Sequence, residues 1–366
     1  MSYSSPPWVH IIGAGVAGLS LAAFLSQSSQ LPGEVIISDP TFDRPKSQTF
    51  CFWYSPQTPL YIQPEHTWTE WSFSKDDHQM IHRGHQYQYG MISGEYLRTR
   101  LLNQIKNHPQ IHLNPSAINT PPTADHVFDS RPPALEHFRV KQSFVGLEIE
   151  LPHPHHITHV QLMHDLRDLE HGVEFRYVLP LSSHTLLVEY TRFTTQVSHL
   201  SDLEEADHLW VQNTFGLTSQ PRHPQESYRI KRKEAAHIPM GLLDHGPHFG
   251  IPIGARAGMT RDATGYGLIE MQMWAKKAAD LLISSNQALS YRPPVFRQWM
   301  DSCLLNIIEK RPDLMPSIFM TIARQLSADH FAGFMMNCTL SDALWMIRSA
   351  PKKPFLLSAM NKVEWT

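Results

Sequence analysis

Three glycines, Gly13, Gly15 and Gly18, set the first chemistry this chain can do. The run Val9-His10-Ile11-Ile12-Gly13-Ala14-Gly15-Val16-Ala17-Gly18-Leu19-Ser20 reads as an apolar strand, a tight turn and the start of a helix. Such a turn offers backbone N–H groups and the positive end of a helix to a dinucleotide pyrophosphate. The strand Val35-Ile36-Ile37-Ser38 follows and closes on Asp39. Asp39 stands about 20 residues past the last glycine, where an acid bonds the ribose hydroxyls of an adenosine. A second apolar strand and glycine loop begins roughly 240 residues later, at Ile251-Pro252-Ile253-Gly254-Ala255-Arg256-Ala257-Gly258. It continues through Gly265 into a helical run from Ile269 to Leu282. Gly-x-Gly-x-x-Gly alone is a weak signal, and the flanking strand, helix, second strand and terminal acid make it specific. Two such segments around a long middle region point to a flavoprotein whose nucleotide domain is interrupted by a substrate domain.

The elements that would position these residues can be read from the remaining pattern. Residues 16–27 form an apolar helix, and Glu95–Ile105 a second one. Residues 40–90 are loop-rich and aromatic, with Phe50, Phe52, Trp53, Tyr54, Trp68, Trp71 and Phe73. His126–Ser130 is a short strand carrying Asp129. From Phe138 to Phe193 the pattern is that of strands. Phe175–Pro180 and Thr185–Tyr190 form a hairpin that turns near Ser182-Ser183. If the second of these strands alternates, Leu187 and Glu189 face one way and Val188 and Tyr190 the other. Leu200–Phe215 is a helix, as are 295–311, about 313–327 and about 340–348. The fold class is therefore α/β. It comprises an FAD-binding Rossmann-like domain of the glutathione-reductase type, an interleaved β-sheet substrate domain and a helical C-terminal region. The expected boundaries are 1–72, 94–130 and 240–290 for the FAD domain, 73–93 and 131–239 for the substrate domain, and 291–366 for the helical region.

Composition excludes several classes. In 366 residues the formal net charge is −3, which leaves no basic footprint for nucleic acid. Three cysteines, Cys51, Cys303 and Cys338, are too scattered for a disulfide framework. No apolar run approaches the roughly 20 residues of a membrane span, and Met1–Trp8 carries no leader signal. A reducing, cytoplasmic setting is expected. His153, His155 and His156 cluster among prolines, but no carboxylate or cysteine joins them at ligand spacing, so a solvated loop is expected rather than a metal site.

At this point the residues resemble the lycopene cyclase family, from about residue 9 to residue 350. Besides the first glycine turn, the likeness is carried by Gln48-Thr49-Phe50-Cys51-Phe52-Trp53. It is carried also by Val127-Phe128-Asp129-Ser130-Arg131-Pro132 with Gln142-Ser143-Phe144-Val145-Gly146. Tyr177-Val178-Leu179-Pro180-Leu181-Ser182 with Leu187-Val188-Glu189-Tyr190-Thr191 adds a fourth segment. Ile238-Pro239-Met240, Ile253-Gly254, Gly258-Met259-Thr260 and Thr264-Gly265-Tyr266 make the fifth. The chain departs from the family pattern at Gln48, where an arginine is usual, at Phe50, where a tryptophan is usual, and at Tyr54, where an acid is usual. Ala257-Gly258 replaces a tandem glycine. These positions bear on which polyene end is accepted.

The resemblance implies an enzyme that closes the linear end of lycopene or a related carotene to a β-ionone ring, with no net redox change. A proton adds to a terminal double bond, the carbocation closes, and a proton leaves. An acid buried in an apolar site keeps its proton near neutral pH, as protonation of an alkene requires. Glu189, in the apolar strand Leu186–Tyr190, is the residue that matches the family's acid. Phe52, Trp53 and Tyr54 are implied to line the substrate and to stabilise the cation through their ring faces. Gly254, Gly258 and Gly265 would hold the ribityl and pyrophosphate region of FAD, and NADPH would reduce it. Gly254 is followed by Ala255 rather than the acid common in flavin hydroxylases. Glu234, Asp165 and His237 are lesser acid–base candidates, and Asp129 is read as structural, tied to Arg131. The alternative is an FAD-dependent monooxygenase or reductase acting on another polyene or lipid. A bilayer-dissolved substrate implies peripheral membrane contact. The candidate surface is the stripe Met315, Ile318, Phe319, Ile322 and Leu326, with Phe331, Phe334, Met335 and Met336 following; the same spacing equally suits a face packed on the substrate domain.

Overall fold

A computed structural model describes residues 6–44, 46–218, 227–243, 246–336 and 338–360. In chain order its elements begin with β1 (Val9–Ile12), α1 (Val16–Leu25), β2 (Val35–Ser38), β3 (Thr49–Tyr54), β4 (His66–Trp68), β5 (Glu70–Lys75), β6 (His78–Arg83) and β7 (Gln88–Ser93). They continue with α2 (Gly94–Ile105), β8 (Ile111–Asn114), β9 (His126–Asp129), β10 (Phe138–Glu150), β11 (Val160–Leu169), β12 (Gly172–Pro180), β13 (Thr185–Thr194) and α3 (Leu200–Phe215). The last are β14 (Arg229–Leu242), β15 (Ile251–Pro252), α4 (Leu268–Ser285), α5 (Val295–Lys310), α6 (Met315–Gln325), α7 (Ala328–Met336), α8 (Leu340–Ser349) and α9 (Lys352–Ala359).

The chain divides into two discontinuous units. Unit one takes residues 1–46, 92–138 and 242–298, and unit two takes 47–91, 139–241 and 299–366. In unit one a five-stranded sheet runs in the order β15-β9-β1-β2-β8, with all four pairings parallel. Parallel strands need crossovers, and α1 supplies the one between β1 and β2. Its sequence is apolar all round, and every residue from Ala17 to Leu25 is buried. The hydrophobic effect thus fixes α1 between the sheet and α4, with α2 also against it.

Unit two holds a seven-stranded sheet, β14-β10-β13-β12-β11-β5-β6, and a three-stranded sheet, β3-β7-β4. The expected hairpin is present: β12 and β13 pair antiparallel, with Val178 opposite Val188. One face of the large sheet packs on α3, through Val145, Leu147, Leu186 and Val188 against Leu203 and Val211. Residues 40–90, expected as loops, contain five strands. Of the region expected as a separate helical part, α5 begins in unit one, while the helices from Trp299 onward fall in unit two, as do residues 47–72. They are fastened there by polar contacts. The Asp329 carboxylate on α7 accepts the backbone N–H groups of His85, Gln86 and Tyr87, and the His82 ring bonds the Ala323 carbonyl on α6.

Of the two readings of the apolar stripe, this packing fits the face turned inward rather than the membrane surface. Met315, Ile318, Ile322, Leu326, Phe331 and Phe334 are all buried in the core of unit two. Their helical spacing marks an inward face. Among the described residues no helix is long and apolar enough to cross a membrane.

Candidate functional site

In unit one the three glycines of the first turn serve different purposes. Gly13 has φ +98°, the left-handed region that favours glycine, so the backbone itself requires it. Gly18 lies where α1 presses on the turn, and a Cβ there would stand 2.2 Å from the Gly13 carbonyl oxygen. Gly15 is different. Its φ of −75° suits any residue, and a Cβ would meet nothing nearer than the Ser130 hydroxyl at 3.7 Å. The protein leaves this space open, so it suits a ligand that must approach the backbone. The first turn of α1 has no acidic residue, and no side chain caps its N-terminus. Its N–H groups therefore suit an anion. This cradle fits a dinucleotide pyrophosphate.

Asp39 ends β2 beside that turn. Its Oδ2 accepts the Ala14 N–H at 2.7 Å, and its Oδ1 accepts the N–H and hydroxyl of Thr41 at 2.7 and 2.6 Å. Burial alone would raise its pKa, but these donors and Lys46 outweigh burial and hold the carboxyl below the usual range. An ionised acceptor thus stands at the turn. Gly254, Gly258 and Gly265 all adopt positive φ, at +65°, +71° and +72°. A Cβ at Gly254 would press on Ala17 of α1 at 3.3 Å, which places the second glycine loop against the first. Asp129 is structural, as expected. Arg131 clamps both its oxygens, and the Phe249 N–H adds a third contact.

In unit two Glu189 faces away from α3, on the face shared with Leu187, as its alternation requires. It lies in a row across the sheet, opposite Gly146 on β10 and Tyr177 on β12. Glu234 on β14 reaches over Gly146. A Cβ at position 146 would sit 3.0 Å from the Glu234 Cγ, so glycine there makes room for the second carboxyl. The Tyr177 hydroxyl bonds the Tyr89 hydroxyl at 2.9 Å and contacts the Cys51 sulfur at 3.1 Å. The Thr191 hydroxyl donates to Glu189 Oε1 at 2.8 Å.

Although Glu189 keeps some accessible surface, protein atoms crowd its carboxyl. Burial raises its pKa well above the ordinary value, and the nearby Glu234 pushes the same way. The Thr191 bond opposes them weakly. The result is a carboxyl biased toward its protonated form. The Cys51 thiol is pushed up to about 12, chiefly by burial and further by Glu189 and Glu234. It therefore stays protonated and is a poor nucleophile.

The predicted aromatics separate. On β3, Thr49, Cys51 and Trp53 share the face of the acids, and the Trp53 ring lies 4.5 Å from that of Tyr89. Phe52 and Tyr54 take the opposite face, where Gly90 leaves room for their rings. The lesser candidates separate too. Asp165 pairs with Arg167 at the surface, and His237 bonds the Ser143 hydroxyl at 2.9 Å, its pKa lowered by burial. His153, His155 and His156 lie in a loop, and among the described residues no group of metal-ligating side chains forms. Tyr177, Tyr89 and Thr49 stand beside the acids and were not among the candidates read from the sequence. The one signal for Tyr177 was its place in the strand that hairpins with Glu189.

A glycine-turned βαβ unit closed by an acid and interrupted by a sheet-bearing unit defines the class: the fold is that of the FAD-dependent flavoproteins. A solved structure described as geranylgeranyl bacteriochlorophyll reductase-like, from Thermoplasma acidophilum, matches with a TM-score of 0.57 at 10% identity. That match covers 98% of this chain and 100% of the other. The sequence profile of the lycopene cyclase protein family matches residues 9–361, and the chain belongs to that family. A lycopene beta-cyclase of Paracoccus sp. (strain N81106 / MBIC 01143) is 31% identical over 145 residues, 38% of this chain and 35% of the relative. A lycopene beta-cyclase of Pantoea ananas is 25% identical over 241 residues, 62% of this chain and 60% of the relative. The aligned regions thus span between about a third and three-fifths of these curated relatives.

Proposed function

We propose that the protein is a carotenoid end-group cyclase that converts linear ends of the lycopene type to β-ionone rings. The observation that carries this reading is Glu189, buried, repelled by a second carboxyl and hydrogen-bonded to a single hydroxyl. Such a group donates a proton where water is scarce. Glu189 gives its proton to the terminal double bond, a second double bond attacks the resulting cation, and the ring closes. Loss of a proton from the cyclic cation to the carboxylate restores Glu189, so the overall change is an isomerisation. Tyr177 pairs across the sheet with Glu189, its hydroxyl bonds that of Tyr89, and the Trp53 ring packs on Tyr89, so these aromatics would supply electron density near the acid. Cys51, held as the thiol, does not trap the cation.

Gly13, Gly15, Gly18 and Asp39, with Gly254, Gly258 and Gly265, would hold FAD. When bound and reduced by NADPH, that group supplies negative charge that stabilises a developing cation without being consumed. The test is pigment chemistry. Expressed in bacteria that accumulate lycopene, the chain should turn red cells orange-yellow with cyclic product. Unchanged lycopene with NADPH oxidation coupled to oxygen uptake would overturn the reading in favour of a monooxygenase. A product with fewer double bonds would favour a reductase.

The same reading places the protein in the cytoplasm with peripheral membrane contact, because its substrate dissolves in the bilayer. Helix α8 supports one docking surface. Leu340, Leu344 and Trp345 are exposed, and Ile347 continues the stripe. Arg348, Lys352 and Lys353 flank it with positive charge suited to anionic headgroups. In flotation with anionic liposomes, wild type should float and a Leu340→Ser/Leu344→Ser variant that keeps its FAD should not. Equal flotation would remove α8 from this role.

A further inference from the structure

We propose that Glu234 is a positioning residue: the carboxylate that Thr49 and Arg232 clamp above Gly146 holds the reactive proton on Glu189. The inference rests on the reading of Glu189 as the acid and adds what sets its protonation.

Three observations carry it. The first is geometric. Gly146 faces Glu189 across the β10–β13 pairing, and its missing side chain is the space into which Glu234 folds. The second is the asymmetry of the partners. Glu234 receives the Thr49 N–H on Oε2 and the Thr49 hydroxyl on Oε1, both at 2.6 Å. Arg232 stands 3.4 Å from Oε1 and bonds the Thr49 hydroxyl oxygen at 3.0 Å, while its Nε bonds Glu148. Glu189 has only the Thr191 hydroxyl among the described residues. The third is what else faces Glu189: Tyr177 from β12, Cys51 from β3, Tyr89 from β7 and, through the sheet, Asp207 from α3. None of these is a cation.

Donors and a guanidinium favour the charged form of a carboxyl, and a neighbouring negative charge favours the neutral form. Burial raises both glutamates, and Glu234 stays raised overall, but Thr49 and Arg232 oppose its shift while Glu189, raised further, has only the Thr191 hydroxyl against it. The proton therefore rests on Glu189. After transfer to the alkene two carboxylates face each other, which draws a proton back from the cyclic cation. No oxidant or co-reactant enters this cycle.

The test reads the pH dependence of lycopene conversion in liposomes by the FAD-loaded protein. Activity requires protonated Glu189, so it falls as pH rises through that group's pKa. In Glu234→Gln the like charge is gone, Glu189 loses its proton more easily, and the falling limb moves to lower pH. One unit of displacement is about tenfold in rate on that limb. Glu234→Asp keeps the charge and should return the limb toward the wild-type position, which a merely structural role would not do.

An infrared titration of the whole protein reads the same quantity without turnover. It follows the protonated-carboxyl stretch assigned by its loss in Glu189→Gln, and its midpoint should fall in Glu234→Gln. A limb and a midpoint at the wild-type pH in Glu234→Gln would overturn the positioning role. Wild-type conversion by Glu189→Gln would instead overturn the assignment of the acid, and the infrared midpoint would still decide what Glu234 does.

Discussion

A desolvated carboxyl lies against each face of the large sheet of unit two, Asp207 from α3 on one and Glu189 of β13 on the other, and the two have opposite surroundings. On the α3 side, Asp207 meets a cation. Arg176 lies 3.6 Å from its Oδ1, the Tyr190 N–H donates to Oδ2, and the guanidinium sits over the Tyr190 and Trp210 rings. On the other side, Glu189 meets a second acid and aromatic hydroxyls. Burial raises both carboxyls. Both end well above the ordinary range; the rise is opposed by Arg176 and the Tyr190 N–H for Asp207, and for Glu189 it is opposed only by a hydroxyl and reinforced by Glu234. Burial alone therefore does not make an acid catalyst. The partner decides whether a buried carboxyl serves as half of an ion pair or as a store for a proton.

The comparison can be broken most directly at Glu189. Glu189→Gln keeps the shape and removes the proton, and conversion should fall by about 10²–10⁴-fold with FAD content intact. Near-wild-type product would end its role. On the other face, Arg176→Met leaves Asp207 buried without its cation and should cost about 3–5 kcal/mol of stability in denaturant unfolding. The double variant Arg176→Met/Asp207→Leu should regain most of that. No regain would mean that packing, rather than the pair, matters there.

Stability should also depend on pH with a definite sign. The folded-state pKa of Glu189 lies above its ordinary value of 4.5. Its favourable contribution is complete below that ordinary value and is lost as pH rises toward the folded pKa. Glu189→Gln should flatten this slope and be the more stable protein at alkaline pH. An unchanged slope would show that Glu189 is ionised when folded. The smallest effect is expected at Thr191→Val, which removes the one hydroxyl bonded to Glu189. It should move the alkaline limb of activity upward, opposite to Glu234→Gln, with a rate change corresponding to about 0.5–1.5 kcal/mol.

What the sequence disclosed follows from how local each determinant is. The turn at Gly13, the helix after it and Asp39 lie within one βαβ unit, so spacing alone revealed them. Glu189 was visible through its strand and the family resemblance. The company it keeps was not visible. Thr49 bonds Glu234 across 185 positions of chain. Both lie in strands that the pattern did not reveal, β3 within an aromatic stretch and β14 within a run of charges. The stripe of α6 and α7 was recognised as apolar, but periodicity does not say what covers a face. Those residues cover a core, while α8 exposes Leu340 and Leu344 on one side and buries Ala343 and Met346 on the other.

Strand β14 has one further consequence. It is an edge of the large sheet, and Arg229, Lys231 and Lys233 stand exposed along it, while Pro239 lacks an N–H to offer a neighbour. Open edges invite pairing with a second chain, and charge and proline blunt them. The strand that delivers Glu234 to the interior thus also lines one edge of the sheet with charge and a proline. Neutralising Lys231 and Lys233 for the sake of crystallisation would favour edge-to-edge aggregates, and would put the strand bearing Glu234 at the seam.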